Sequence, residues 1–110
     1  MDVWQLAGLA PEPSRPEVLR SDDGVARVIA LTLPANDLMR EHEVHEHTWM
    51  SVLDGTIEIS SGTEVFEISR GALLHFDPGE RRQLRALTDA RILYLLAPWP
   101  GPGHPSLTGA

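Results

Sequence analysis

Three of the five histidines and two glutamates fall within six residues, His42 to His47 (HEVHEH). The run leads into an apolar stretch, Trp49 to Leu53, that stops at Asp54-Gly55. Side chains of these types can do one of two things. Neutral imidazoles with a carboxylate can hold a divalent transition metal (iron, manganese, nickel or zinc) and leave positions open for a substrate. Alternatively, they can hydrogen-bond to one another on a solvated rim with no further role. The metal candidates are His42, His45 and His47. In a strand, residues of like parity share a face. His42, Val44, Glu46 and Thr48 then point one way, towards the core that Met50 and Val52 continue, and His45 and His47 point the other. A three-histidine cage therefore requires a bulge or loop to re-aim side chains.

Arg82 is the second candidate. It alternates with Leu84 and Ala86, so it faces inward if those two do. A guanidinium inside a core needs a partner, because burying an unpaired charge is costly. Glu46 is one candidate, and a carboxylate or phosphate on a ligand is another, since the fork of N–H donors matches both. Against this stands a rim reading, in which Arg81, Arg82, Arg85 and Arg91 only balance surface acids. His75, between Leu74 and Phe76 on a short strand, could line a cavity, sit in a subunit contact or be a plain core histidine.

The elements that must position these residues are strands. Val25–Leu33 alternates, and Pro34-Ala35-Asn36-Asp37 breaks it. Ile57 and Ile59 flank Glu58 after the Asp54-Gly55 hairpin signal, and Ser61-Gly62 turns the chain into 65–69. Arg70-Gly71 and Asp77-Pro78-Gly79 bracket a strand over 72–76. Residues 81–88 alternate, and the apolar run 92–97 reads as a strand buried on both faces. No helix is expected. Turn signals recur roughly every ten residues, as in an all-β sandwich or barrel. Residues 1–24 read as an N-terminal arm with short edge strands, broken by Pro11, Pro13 and Pro16. Residues 25–97 read as the barrel, and 98–110 as a Pro/Gly-rich tail anchored by Trp99.

Composition narrows the classes. With 42% hydrophobic and 23% charged residues, the 110-residue chain is globular rather than disordered. A net charge of −7 argues against nucleic acid or an anionic membrane as partner. All nine basic residues are arginine, so no lysine can serve as a base or form a Schiff base. The absence of cysteine excludes disulfides, thiolate metal sites and a thiol nucleophile. No basic n-region or long apolar run opens the chain, so a cytoplasmic location is expected. Dinucleotide, P-loop, nucleophile-elbow and HExxH patterns are all missing.

The motif spacing resembles the small single-domain cupins, a jelly-roll β-barrel family. His42 stands thirteen residues before Gly55 across an apolar strand, Gly71 opens a strand ending at Pro78-Gly79, and 92–97 closes the sheet. The resemblance spans residues 25–97 and implies about eight to ten short antiparallel strands. It also implies a metal set: an H-x-H pair, a glutamate seven residues before the glycine, and a third histidine after the P-x-G turn. Here those positions hold His42, Val44, Thr48 and Arg82, and Asp77 stands where the turn usually carries proline. One of four ligands is kept in register.

Two functional readings follow. The first is a cupin-type pocket for a small, possibly anionic molecule, lined by His42, Glu46, Thr48, His75 and Arg82, in a homodimer, with no catalytic step assigned. The second is a metal-dependent enzyme (an isomerase, cyclase or dioxygenase) using the 42–47 cluster. A third possibility is a structural or regulatory module whose tail binds a partner. The sequence leaves open whether the protein is an enzyme.

Overall fold

A computed structural model describes residues 1–42 and 44–104, and the side chains of all of these except 40–42. The regular structure of the described chain is nearly all strand: β1 (Glu17–Asp22), β2 (Ala26–Leu33), β3 (Leu38–His42), β4 (His47–Asp54), β5 (Thr56–Ser61), β6 (Glu64–Ser69), β7 (Leu73–Phe76), β8 (Arg82–Ala86) and β9 (Ala90–Ala97). One 3₁₀ turn, Leu6–Gly8, precedes them. The strands form two antiparallel sheets. The five-stranded sheet has the order β1-β2-β9-β4-β7, and the four-stranded sheet has the order β3-β8-β5-β6.

Alternation builds the core. Leu31 and Leu33 of β2, Met50 and Val52 of β4, Ile57 and Ile59 of β5, Leu84 and Ala86 of β8, and Ile92 and Tyr94 of β9 meet between the sheets. Burying these apolar faces against each other is the main favourable term in the fold. The turn chemistry sets the registers. Gly55 has φ +84°, and a Cβ there would overlap the Asp89 carbonyl oxygen, so the β4–β5 turn requires glycine.

Two expectations are corrected. The last strand is not buried on both faces: Ala90, Ile92 and Tyr94 are buried, whereas Arg91, Leu93 and Leu95 are half-buried. Although β9 is central to its sheet, its outward side is covered by no second sheet and only partly by the chain's arms, so it alternates like an antiparallel strand with one face towards the core. Nor is 42–48 one strand. β3 ends at His42 in one sheet, β4 begins at His47 in the other, and Val44, His45 and Glu46 turn the corner between them.

Both ends of the chain fold back onto this frame. The Arg91 guanidinium donates to the carbonyl oxygens of Leu6 (3.1 Å) and Leu9 (2.7 Å), pinning the N-terminal arm. The Gly24 N–H donates to the Trp99 carbonyl at 2.6 Å, and the Arg27 guanidinium lies 4.7 Å from the centroid of the Trp99 ring. No helix among the described residues is long and apolar enough to cross a membrane.

Candidate functional site

Arg82 opens β8, and its alternation with Leu84 and Ala86 carries the guanidinium between the sheets, where only 2% of the residue is exposed. Its contacts are sparse. Nη2 donates to the Thr48 hydroxyl at 3.4 Å, a long and weak bond, and the guanidinium carbon lies 4.9 Å from the centroid of the Phe76 ring. Nε and Nη1 are buried without a hydrogen-bond partner among the described residues. Burial lowers the Arg82 pKa from its usual value, and Tyr94 and Glu80 oppose that shift electrostatically. The group stays cationic at neutral pH.

Beside it lies a cavity of about 230 Å³ between the two sheets. Its walls are Ile29 and Leu31 of β2, Met39 of β3 and Tyr94 and Leu96 of β9, with Pro16 and Val44 completing them. The walls are apolar apart from Arg82 and the Tyr94 hydroxyl. That hydroxyl donates to the Met39 sulfur at 3.6 Å, and thioether sulfur is a weak acceptor. Burial raises the Tyr94 pKa to about 12, an effect that Arg82 counters, so the phenol is neutral. A wider groove of about 570 Å³ runs past Ser61, Glu64, Glu80 and Arg81. It lies open to solvent, and Ser61 hydrogen-bonds Glu80 there at 2.9 Å.

The sequence candidates divide between three places. Thr48, fully buried, and Arg82 are brought together. Glu46 is buried as well but does not pair with Arg82, because its Oε2 accepts the Gly101 N–H of the tail at 2.6 Å. Gly101 sits so close to the corner that a Cβ there would overlap the His45 carbonyl oxygen, which ties the tail's sequence to this position. His45 packs against the same tail, its ring 6.0 Å from that of His104.

His47 and His75 lie on the outer face of the five-stranded sheet. Trp49 pairs with His75 and Thr48 with Phe76, so the odd-numbered residues of both strands face outward and His75 does not line the cavity. His47 Nδ1 is 2.9 Å from His75 Nε2 and 4.0 Å from Asp77 Oδ1. His42 ends β3 opposite Arg82 in register, but its side chain lies outside the described residues. A His42-His45-His47 cage therefore does not assemble among the described residues, since the corner sends His45 under the tail and β4 sends His47 outward.

Tyr94 and Asp77 escaped the sequence reading. Tyr94 looks like any inward residue of an apolar strand. Asp77 looks like a turn former, and only the pairing of β7 with β4 reveals its neighbours.

No protein-family model matches the chain, and no curated protein is similar to it in sequence. Solved structures do match. An RmlC-like cupin protein from Desulfovibrio desulfuricans superposes with a TM-score of 0.77 at 22% identity, covering 89% of this chain and 97% of that one. A cupin superfamily protein from Desulfitobacterium hafniense gives 0.75 at 11% identity over 84% and 85% of the two chains. The fold is that of the cupins. A conserved protein with a double-stranded β-helix domain from Klebsiella pneumoniae gives 0.77 at 15% identity over 92% and 93%. At these identities the likeness concerns the cupin fold alone.

The metal-ligand positions that the cupin resemblance implied can be tested on these side chains. Val44 offers no donor atom, and the buried Arg82 guanidinium repels a cation where an imidazole would bind one. Thr48 offers a neutral hydroxyl, already facing the Arg82 cation, where a carboxylate ligand would stand. These residues do not fit a metal ion inside the barrel.

Proposed function

We propose that the cavity beside Arg82 binds a small organic anion with an apolar body, held at its carboxylate or phosphate end. The observation that carries this reading is the buried cation with two unpartnered donors, Nε and Nη1, beside an apolar space. An orphaned buried donor costs about 1–3 kcal/mol, and an anion accepting from it removes that penalty. A carboxylate docks bidentately on the Nε/Nη2 edge or on the Nη1/Nη2 edge, and either way it reaches one of the two orphaned atoms. Tyr94, whose hydroxyl has only a thioether acceptor, supplies a third donor. At about 230 Å³ the space is smaller than a drug-sized pocket of roughly 300–1,000 Å³. It suits a short branched or cyclic acid. No bond-breaking step is assigned to these residues.

A thermal-shift screen with short carboxylates, their amides and small phosphate esters tests the proposal. The acids should raise the melting midpoint in a concentration-dependent way, the matched amides should not, and Arg82→Met should erase the difference. Equal shifts for acid and amide would refute it. Homodimerisation belongs to the same proposal, supported by exposed Val65 and Phe66 on the edge strand β6 and Leu73 on the edge strand β7. A monomer by light scattering would remove that part alone.

A further inference from the structure

We propose that His47, His75 and Asp77 form a binding site for one divalent transition-metal ion on the outer face of the barrel, separate from the Arg82 cavity. The strand register creates it. With Trp49 opposite His75 in the β4–β7 pair, His47 falls opposite position 77, so the three side chains emerge on one face across two strands. Their donor atoms (one nitrogen from each imidazole and one carboxylate oxygen) all lie within 4.8 Å of one another. Two ligands bound to a common zinc ion at about 2.0–2.2 Å are roughly 3–4 Å apart, so the observed spacings of 2.9 Å and 4.0 Å need only small side-chain rotations. All three side chains are exposed.

The imidazole contact brings two potential ligand nitrogens to one point. The rings are nearly parallel, 24° apart, with centroids 5.1 Å apart, and they meet nitrogen to nitrogen at 2.9 Å. Contact at this distance is an N–H···N hydrogen bond between two imidazoles, and the tautomers that turn a lone pair to this point from each ring let both nitrogens ligate one ion. Asp77 adds a negative charge on the same side. The indole of Trp49, 4.5 Å from the His75 ring, backs that imidazole and limits its rotation. Two imidazoles and one carboxylate select zinc, cobalt, nickel or ferrous iron over magnesium or calcium, which prefer all-oxygen shells. Three protein ligands leave positions open for water or a further ligand. Thr48, between His47 and Trp49, faces the opposite way towards Arg82, so the site and the Arg82 cavity share no side chain.

Trp49 makes the test direct. Untagged full-length protein is titrated with Co²⁺ and with Zn²⁺ by calorimetry, and tryptophan emission is followed during the Co²⁺ titration. One ion should bind per chain, with emission falling in step as the paramagnetic ion fills the site. His75→Ala and His47→Ala should each weaken binding by more than about tenfold. Trp49→Phe should keep the stoichiometry and lose most of the quenching. His45→Ala, which removes the other close imidazole pair, should leave affinity unchanged. The proposal is overturned if no saturable 1:1 binding occurs below about 1 mM. Affinity that is unaltered in both His47→Ala and His75→Ala, or that disappears in His45→Ala, overturns it equally.

Discussion

The two faces of β4 hold opposite chemistries one residue apart. Inward, Thr48 and Met50 are fully buried, and the polar group they accompany is a cation short of partners, Arg82. Outward, His47 and Trp49 are exposed, and His47 meets His75 and Asp77 as a compact set of nitrogen and oxygen donors. On the proposed reading, the inner face receives negative charge beside apolar walls, where hydrogen bonds to ions are strengthened. The outer face, on the same reading, receives positive charge in water. A pleated strand reverses face at every residue, so a single histidine-rich run cannot deliver all its side chains to one site.

The largest contrast between the faces should be in stability. Met50→Ala empties core volume and should cost about 2–5 kcal/mol, whereas Trp49→Ala, its neighbour on the outer face, should cost less than about 1 kcal/mol. Chemical denaturation of the two variants makes the comparison. Similar losses would mean that the outer face is covered.

Alkaline pH isolates the inner face next. Tyr94 is the chain's one tyrosine, so ultraviolet absorbance follows its ionisation alone. Its folded pKa of about 12 exceeds the ordinary 10.0, so the unfolded chain releases the proton first. The stabilisation is therefore complete below pH 10 and is lost as pH rises towards 12. Two pH units correspond to roughly 2–3 kcal/mol. A tyrosinate midpoint near 10 in the folded protein would show that the cavity wall is wet.

Arg82→Met removes a buried, under-partnered charge and keeps an apolar stem. It should therefore stabilise the ligand-free protein by about 1–3 kcal/mol while abolishing discrimination between acid and amide. A destabilised variant would indicate that Arg82 is a structural cation with its needs already met. The smallest effect is expected outside: without metal, His47→Ala should stay within about 0.5 kcal/mol of the parent. A larger loss would mean that the imidazole pair supports the β4–β7 edge.

The all-β architecture was legible because alternation and turn residues agree. Leu84 and Ala86 set the face of Arg82, and Asp54-Gly55, Ser61-Gly62 and Asp77-Pro78-Gly79 punctuate the strands where the chain turns. The inward direction of Arg82 follows from that pattern, but its contact with Thr48 in place of the expected Glu46 does not. The corner at Val44 to Glu46 was not legible, because parity assumes an unbroken strand and nothing local marks a change of sheet. Nor was the partner of Glu46, since the Gly101 N–H arrives from 55 residues away. The grouping of His47, His75 and Asp77 depends on which strand pairs with β4. That is a matter of topology rather than composition.

The Arg82 guanidinium reports on its own surroundings through its resonance. In ¹H–¹⁵N spectra of uniformly labelled protein, the arginine Nε–H region carries nine arginines, and the peak missing from Arg82→Met identifies Arg82. Titration with a short branched carboxylate should move that peak downfield to saturation and leave the other eight in place, while the matched amide moves none. An Arg82 resonance that stays still while surface arginines drift with added anion would contradict the account.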